Sequence, residues 1–325
     1  GGMVSNLTAL ATARNAALPN SRKAGNYKKV AIYASSESHY SVSRAVEVLG
    51  FGTDALRLIP IDENHRMHVS ELEKQIDNDL ADGVTPIAIV ATGGTTLTGA
   101  VDPIDAIAKV AQSKKIWLHV DGAYGAPAAA TYRSELFAGI EQADSITIDA
   151  HKWLFVPKSC SLILMKNQAM LADTFSHHEA YIPHDKEKYN PVDLTLEYSR
   201  PLRALKLWVA FKTHGANALK EAIEKNIELA ELTYTIASER YNFRTLAQPP
   251  QLSITPIQFV DPSQSDSSDL NMRLCHKILE DGRFYLSTAE IDGETWLRPC
   301  YTNFRTTKED VHSLFDLIEE LATDL

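Results

Sequence analysis

An α/β architecture, a mostly parallel sheet with helices on both faces followed by a smaller α+β domain, is what this sequence predicts. Two observations carry the prediction. Apolar strand-like runs alternate with amphipathic helical patterns through the first two hundred residues, and the strands are near-continuously apolar, as in a sheet buried on both faces. Beyond about residue 200 the texture changes to a long charged helix, short strands and a hairpin. The expected division is residues 1–202 and 203–325.

Taken in order, the strand-like runs are 29–35 (KVAIYAS), 85–94 (TPIAIVATGG), 115–123 (KIWLHVDGA), 145–152 (SITIDAHK) and 161–166 (SLILMK). Helical spacing of apolar residues covers 38–50, 68–83 and 102–114. Ser70 followed by Glu73 reads as a capping box, and Pro103 after Asp102 reads as a helix start. From residue 202 onward, a long helical stretch is expected to break at Gly215. A strand at 251–260, a helix around 270–282 and a hairpin turning at Asp292-Gly293 follow. A last helix closes the chain.

The chain has 325 residues, with 44% apolar and 23% charged side chains and a net charge of −10. That acidity argues against a nucleic-acid or anionic-membrane surface. No apolar run approaches the ~18 residues of a membrane span. Cys160, Cys275 and Cys300 have no metal-ligand spacing, so a reducing cytoplasmic setting is expected, and no metal. The opening GGMVSN has no leading strand; the chain is expected to be the later part of a longer protein.

The chemistry gathers at strand ends. Thr92 ends the run at 85–94, Asp121 ends the one at 115–123, Lys152 ends the one at 145–152, and His39 lies just after the first strand. Carboxyl ends of parallel strands face the ligand crevice. The 31-residue step from Asp121 to Lys152 fits one strand–helix–strand unit, which takes ~30 or more residues. An amine, an acid and an imidazole in one crevice suit pyridoxal 5'-phosphate, which needs a lysine for its Schiff base and an acid at its pyridine nitrogen. A glycine pair before a helix offers backbone N–H groups to a phosphate. Taken singly, each residue has a plainer role: Lys152 as a snorkelling edge lysine, Asp121 as a helix cap, His39 as a loop residue.

HVDGAYGAPAA followed by SITIDAHKWLFVPKSCSLILMK resembles the group II pyridoxal-phosphate-dependent amino-acid decarboxylases, a family that includes aromatic-L-amino-acid, tyrosine, glutamate and cysteine-sulfinate enzymes. The likeness runs from GGMVSN to LRPCYTNFRTTKEDV. It implies a fold-type I pyridoxal enzyme, a homodimer with a shared active site, that converts an L-amino acid to an amine and carbon dioxide. The texture of HKWL and LRPCYTNFRTT favours an aromatic substrate. The resemblance assigns Lys152 to the Schiff base, Asp121 to the pyridine nitrogen, Ala123 to the space under the ring and His39 to the stack above it. Thr92 falls near the substrate carboxylate, and Asp149 and His151 at the phosphate end and pocket. Gly2 and Met3 fall on the phosphate loop; relatives often have Ser or Thr at Met3, where this chain can offer only a backbone N–H. Tyr181, in HHEAYIPHD, matches the tyrosine of a mobile catalytic loop and favours plain decarboxylation over aldehyde formation. Arg200 and Arg203 are expected to form an ion pair across the domain boundary. The alternatives are another reaction of the same coenzyme, as in an aldehyde synthase, aminotransferase or carbon–sulfur lyase, and an inactive dimeric scaffold.

Overall fold

The computed structural model describes residues 1–177, 190–262, 266–323 and 325. The chain begins with helix α1 (Gly2–Ala17) and a single turn α2 (Ser21–Ala24), then enters the sheet with β1 (Val30–Ser35). There follow α3 (Ser41–Val48), β2 (Leu56–Ile59), α4 (Val69–Ala81), β3 (Thr85–Thr92), α5 (Ile104–Lys114) and β4 (Trp117–Asp121). Then come β5 (Ser145–Ile148), the short turn α6 (Ala150–Trp153), β6 (Leu162–Met165) and α7 (Ala169–Phe175). The later part contains α8 (Ala204–Glu239), β7 (Phe243–Thr245), β8 (Ile257–Phe259), α9 (Ser267–Asp281), β9 (Ser287–Ile291), β10 (Glu294–Arg298) and α10 (Lys308–Ala322).

Among the described residues, β2-β1-β3-β4-β5-β6 form one sheet and β7-β8-β10-β9 another. The first is parallel from β2 to β5, and β6 runs antiparallel at its edge. β1, the last six residues of β3 and the last four of β4 are buried, as helices on both faces demand. One core, on the α4 and α5 side, takes in Tyr33, Ile59, Ile89 and Trp153 together with Ile223, Ile227, Leu252 and Ile254 from the later part of the chain. On the other face α1 and α3 pack Leu10, Val42 and Val46 on Ile32, Ile87 and Val90. The second sheet has its own core with α9 and α10, built on Phe243, Leu274 and Phe315. Among the described residues no helix is long and apolar enough to cross a membrane.

Several local expectations change. β2 (LRLI) carries no strong apolar signal because three of its four residues are only partly buried or exposed. The capping box at Ser70 does not form: α4 starts two residues earlier than that cap would place it, with extended His68 as its cap, and the Ser70 hydroxyl pairs with His68 Nδ1 at 3.1 Å. Pro103 precedes α5 as its cap. Asp102 is no cap; its buried carboxylate accepts the backbone N–H groups of Met67 and Thr92, both at 2.7 Å. The strand into Lys152 stops at Ile148, so the lysine stands on the following helical turn. Arg203 pairs with Glu197, six residues before it, at 2.5 Å, so this ion pair is local to the segment that joins the two parts of the chain. The break at Gly215 is present, with φ 78° and ψ 164° inside α8. The Asp292-Gly293 turn is present too, both residues having positive φ as a tight hairpin turn requires.

Candidate active site

Parallel pairing of β1, β3, β4 and β5 brings their carboxyl ends to one edge, and α1 lies with its start against that edge. Gly2, Met3, His39, Thr92, Asp121, Ala123, Asp149 and Lys152 line one cleft there. His151 does not stand on the cleft wall: its Nδ1 donates to the Cys160 carbonyl at 2.9 Å, and its Nε2 lies 3.6 Å from Asp149 Oδ2. Tyr181 lies outside the described residues. A larger cavity of about 580 Å³, bordered by His65, Arg133 and Gln251 among others, lies elsewhere; no lysine stands on its walls.

Lys152 is carried by α6, a single helical turn whose neighbouring Trp153 is fully buried and stacks on Tyr124 with ring centroids 4.9 Å apart. Trp153 donates its indole N–H to Asn226 Oδ1 on α8 at 3.0 Å. The turn is thereby anchored, while the Lys152 side chain keeps 39% of its surface open. Its ammonium lies 3.8 Å from Asp149 Oδ2. Asp149 is buried and also accepts the Ser161 hydroxyl. The backbone of Gly2 passes so close to Asp149 that a Cβ there would meet Oδ2 at 2.9 Å. Glycine is therefore required at the start of α1 by contact, although its φ is ordinary. The Gly2 and Met3 amides open α1, and the first amides of a helix have no intrahelical acceptor.

Asp121 ends β4 in full pairing with Thr92 of β3 and Thr147 of β5. Its Oδ1 accepts the Ala123 N–H at 3.1 Å and its Oδ2 accepts Asn6 Nδ2 at 2.7 Å. His39, after β1, is half-buried; its Nδ1 pairs with Ser41 Oγ at 2.8 Å. Burial holds the imidazole below its ordinary value, with Lys152 pushing the same way and Asp121 and Asp149 opposing. His39 is thus neutral at physiological pH. The Thr92 hydroxyl is buried and has no hydrogen-bond partner among the described residues.

Sequence reasoning missed Asn6, Ser41 and His119. Asn6 lies four residues after Gly2, hence on the same helix face, and His119 lies two before Asp121, hence on the same strand face. Those two periodicities are the signals that would have found them.

The pyridoxal-dependent decarboxylase conserved domain matches residues 1–259. An aromatic-L-amino-acid decarboxylase of Bacillus atrophaeus is 36% identical over 334 residues, covering all of this chain and 68% of that protein. The L-2,4-diaminobutyrate decarboxylase of Rhizobium meliloti (strain 1021) is 32% identical and is covered to 65% of its length. The crystal structure of mouse CSAD in apo form superposes with a TM-score of 0.94 at 29% identity, over all of this chain and 71% of that one. The chain thus spans about two thirds of the length of these curated relatives. It belongs to the pyridoxal-dependent decarboxylase family, amino-acid carboxy-lyases whose cofactor is pyridoxal 5'-phosphate.

Proposed function

We propose that the protein removes the carboxyl group of an aromatic L-amino acid, working as a cytoplasmic homodimer. The observation that carries the reading is the meeting of one amine, Lys152, one doubly hydrogen-bonded carboxylate, Asp121, and one neutral imidazole, His39, on a single cleft. The aromatic preference is supported by the Bacillus atrophaeus relative; the diaminobutyrate relative marks the competing substrate class. Support for the dimer comes from an apolar surface on 196–211, where Leu202 is 72% and Trp208 59% exposed.

The residues present fit the coenzyme. The cleft offers an orphaned buried hydroxyl at Thr92, two unpaired helix-start amides at Gly2 and Met3, and a carboxylate whose remaining lone pairs can accept a pyridinium N–H. When bound, the coenzyme supplies an aldehyde for condensation with amines and a ring that accepts the electrons left by departing carbon dioxide. Lys152 would hold that aldehyde covalently and yield it to the substrate amine. Asp121 would keep the ring nitrogen protonated, its carboxylate held by Asn6 and the Ala123 amide. His39, neutral and half-buried, would lie against the ring and exclude water from one side. Thr92 would orient the substrate carboxylate, and the Gly2 and Met3 amides the phosphate. Ala123 leaves room beneath the ring; Asp149, backed by His151, would position the Lys152 ammonium. Return of a proton to the substrate Cα is assigned to Tyr181, with His39 as the second donor. Proton delivery of this kind contributes roughly 10²–10⁴-fold.

The test is borohydride reduction of the coenzyme-loaded protein followed by peptide mass spectrometry, together with amine and carbon dioxide formation from a panel of amino acids. Label at Lys152, absent in Lys152→Ala, and stoichiometric carbon dioxide from aromatic substrates are expected. Label on another lysine, or ammonia and a carbonyl product in place of the amine, would overturn the reading.

A further inference from the structure

Donor counting around Asn6 fixes where the protons sit. The amide is buried, and its nitrogen donates one hydrogen to Asp121 Oδ2 at 2.7 Å and the other to Ser41 Oγ at 2.9 Å. The opposite amide rotamer would set a carbonyl oxygen against the carboxylate, so it is excluded. Asn6 Oδ1 lies 3.0 Å from His119 Nε2, and an amide oxygen can only accept. His119 therefore carries its hydrogen on Nε2. Burial holds His119 down at about 4, so the ring is neutral and Nδ1 is bare. Nδ1 faces the Ser145 hydroxyl at 2.9 Å and the Ser145 carbonyl at 3.2 Å, and Ser145 Oγ accepts the Trp117 indole N–H at 2.9 Å.

The other branch is fixed independently. The Ser41 backbone N–H reaches His39 Nδ1 at 3.2 Å, and an N–H can only donate. Ser41 Oγ, having accepted from Asn6, turns its own hydrogen to the same nitrogen at 2.8 Å. Neutral His39 thus keeps its hydrogen on Nε2. Asn6 is the fork of this network: it accepts from His119 and donates to Asp121 and to Ser41, which in turn donates to His39.

We propose that Asn6 is a positioning residue that ties the two walls of the cleft together, one amide hydrogen orienting the Asp121 carboxylate as an acceptor and the other fixing, through Ser41, the Nε2–H form of His39. This deepens the functional reading above and rests on it. Among the described residues, the titratable groups lining the cleft are Asp121 from β4, Tyr124 from the loop after it, Asp149 and Lys152 around α6, and His39 after β1, with His119 behind Asp121. A merely structural Asn6 would leave the histidine tautomers and the coenzyme's titration untouched once the variant folds.

The decisive measurement is long-range proton–nitrogen NMR of histidine-labelled protein at pH 7.5, with His39 and His119 assigned by single His→Gln variants. Both are expected as Nε2–H tautomers; an Nδ1–H form at either would overturn the proposal without touching the parent reading. In the coenzyme-loaded protein, Asn6→Leu is expected to keep covalent capture at Lys152 and to lower kcat about 10- to 100-fold, the worth of one hydrogen bond to a charged group. KM should stay within about threefold, and the pH titration of the bound chromophore should move. Ser41→Ala should leave that titration in place while the His39 tautomer loosens. If Asn6→Leu is insoluble, Asn6→Ser decides by the same readings. Wild-type kcat and titration in the soluble variant refute the role of Asn6, whereas loss of Lys152 labelling in the wild type refutes the parent reading.

Discussion

Burial gives two residues, Asp102 in the loop before α5 and His119 on β4, opposite appetites for a proton. Asp102, wholly enclosed, is pushed up to about 6 by desolvation, against the pull of the Met67 and Thr92 amides. Between the ordinary aspartate value and 6 the folded state binds the extra proton, so this group's contribution to stability falls as pH rises through that window. His119 is the reverse: held at about 4, it binds fewer protons folded than unfolded. Its contribution is present above 6.5 and lost as pH falls toward 4. The two slopes oppose each other near pH 5, leaving the whole protein flatter than either. His119→Gln removes one of them. In urea unfolding at pH 4.5 and 7.5, the variant should gain on the wild type upon acidification by up to about 3 kcal/mol. A gap independent of pH would sink this account. At this scale the sequence was partly readable. Lys152, Asp121, Thr92 and His39 announced themselves because strand ends converge whatever else the chain does. Asn6 did not, since its worth depends on α1 meeting β4, 115 residues away in sequence.

Among the elements, the parallel alternation of strands and helices was legible from apolar spacing, and so were the hairpin turn and the break at Gly215. What escaped was set by tertiary context. β2 is short and half-exposed, so nothing but pairing with β1 defines it. The edge strand β6 looks like its neighbours in composition, and only the compact turn through α6 reverses it. The loop after β4 has a tight requirement of its own. A Cβ at Gly125 would stand 2.7 Å from Leu252 Cδ1 and far inside contact distance of the Gly93 carbonyl oxygen. Gly125→Ala should therefore lower stability by about 1–3 kcal/mol, the usual range for overpacking, seen as a fall in Tm. Its coenzyme capture should weaken too, because Tyr124 and Ala123 precede it on the same loop. At Gly215 space is open and the constraint is φ alone; Ala there should cost about 1–3 kcal/mol or straighten α8, visible as increased helical ellipticity.

For the whole molecule, the first half of α8 is the element that a single chain leaves uncovered: the residues of α8 that are buried begin at Leu219. Leu205, Trp208, Val209 and Phe211 are large apolar groups exposed there, with Leu202 exposed just before the helix. Replacing both Leu202 and Trp208 with Glu should shift sedimentation equilibrium toward the monomer by tenfold or more in Kd, about 1.4 kcal/mol or greater; unchanged association would place the contact elsewhere. The same helix reaches back into the catalytic half of the chain. Asn226 receives the Trp153 indole and hands its own amide hydrogen to the Asn303 carbonyl at 3.0 Å. Cutting the gene after codon 202 would strip the indole of its acceptor and pull Ile223, Ile227, Leu252 and Ile254 out of the wall behind the lysine. A library of truncations scored by solubility should find that boundary intolerant, and a protease nick there should leave two pieces that stay clasped until denaturant parts them.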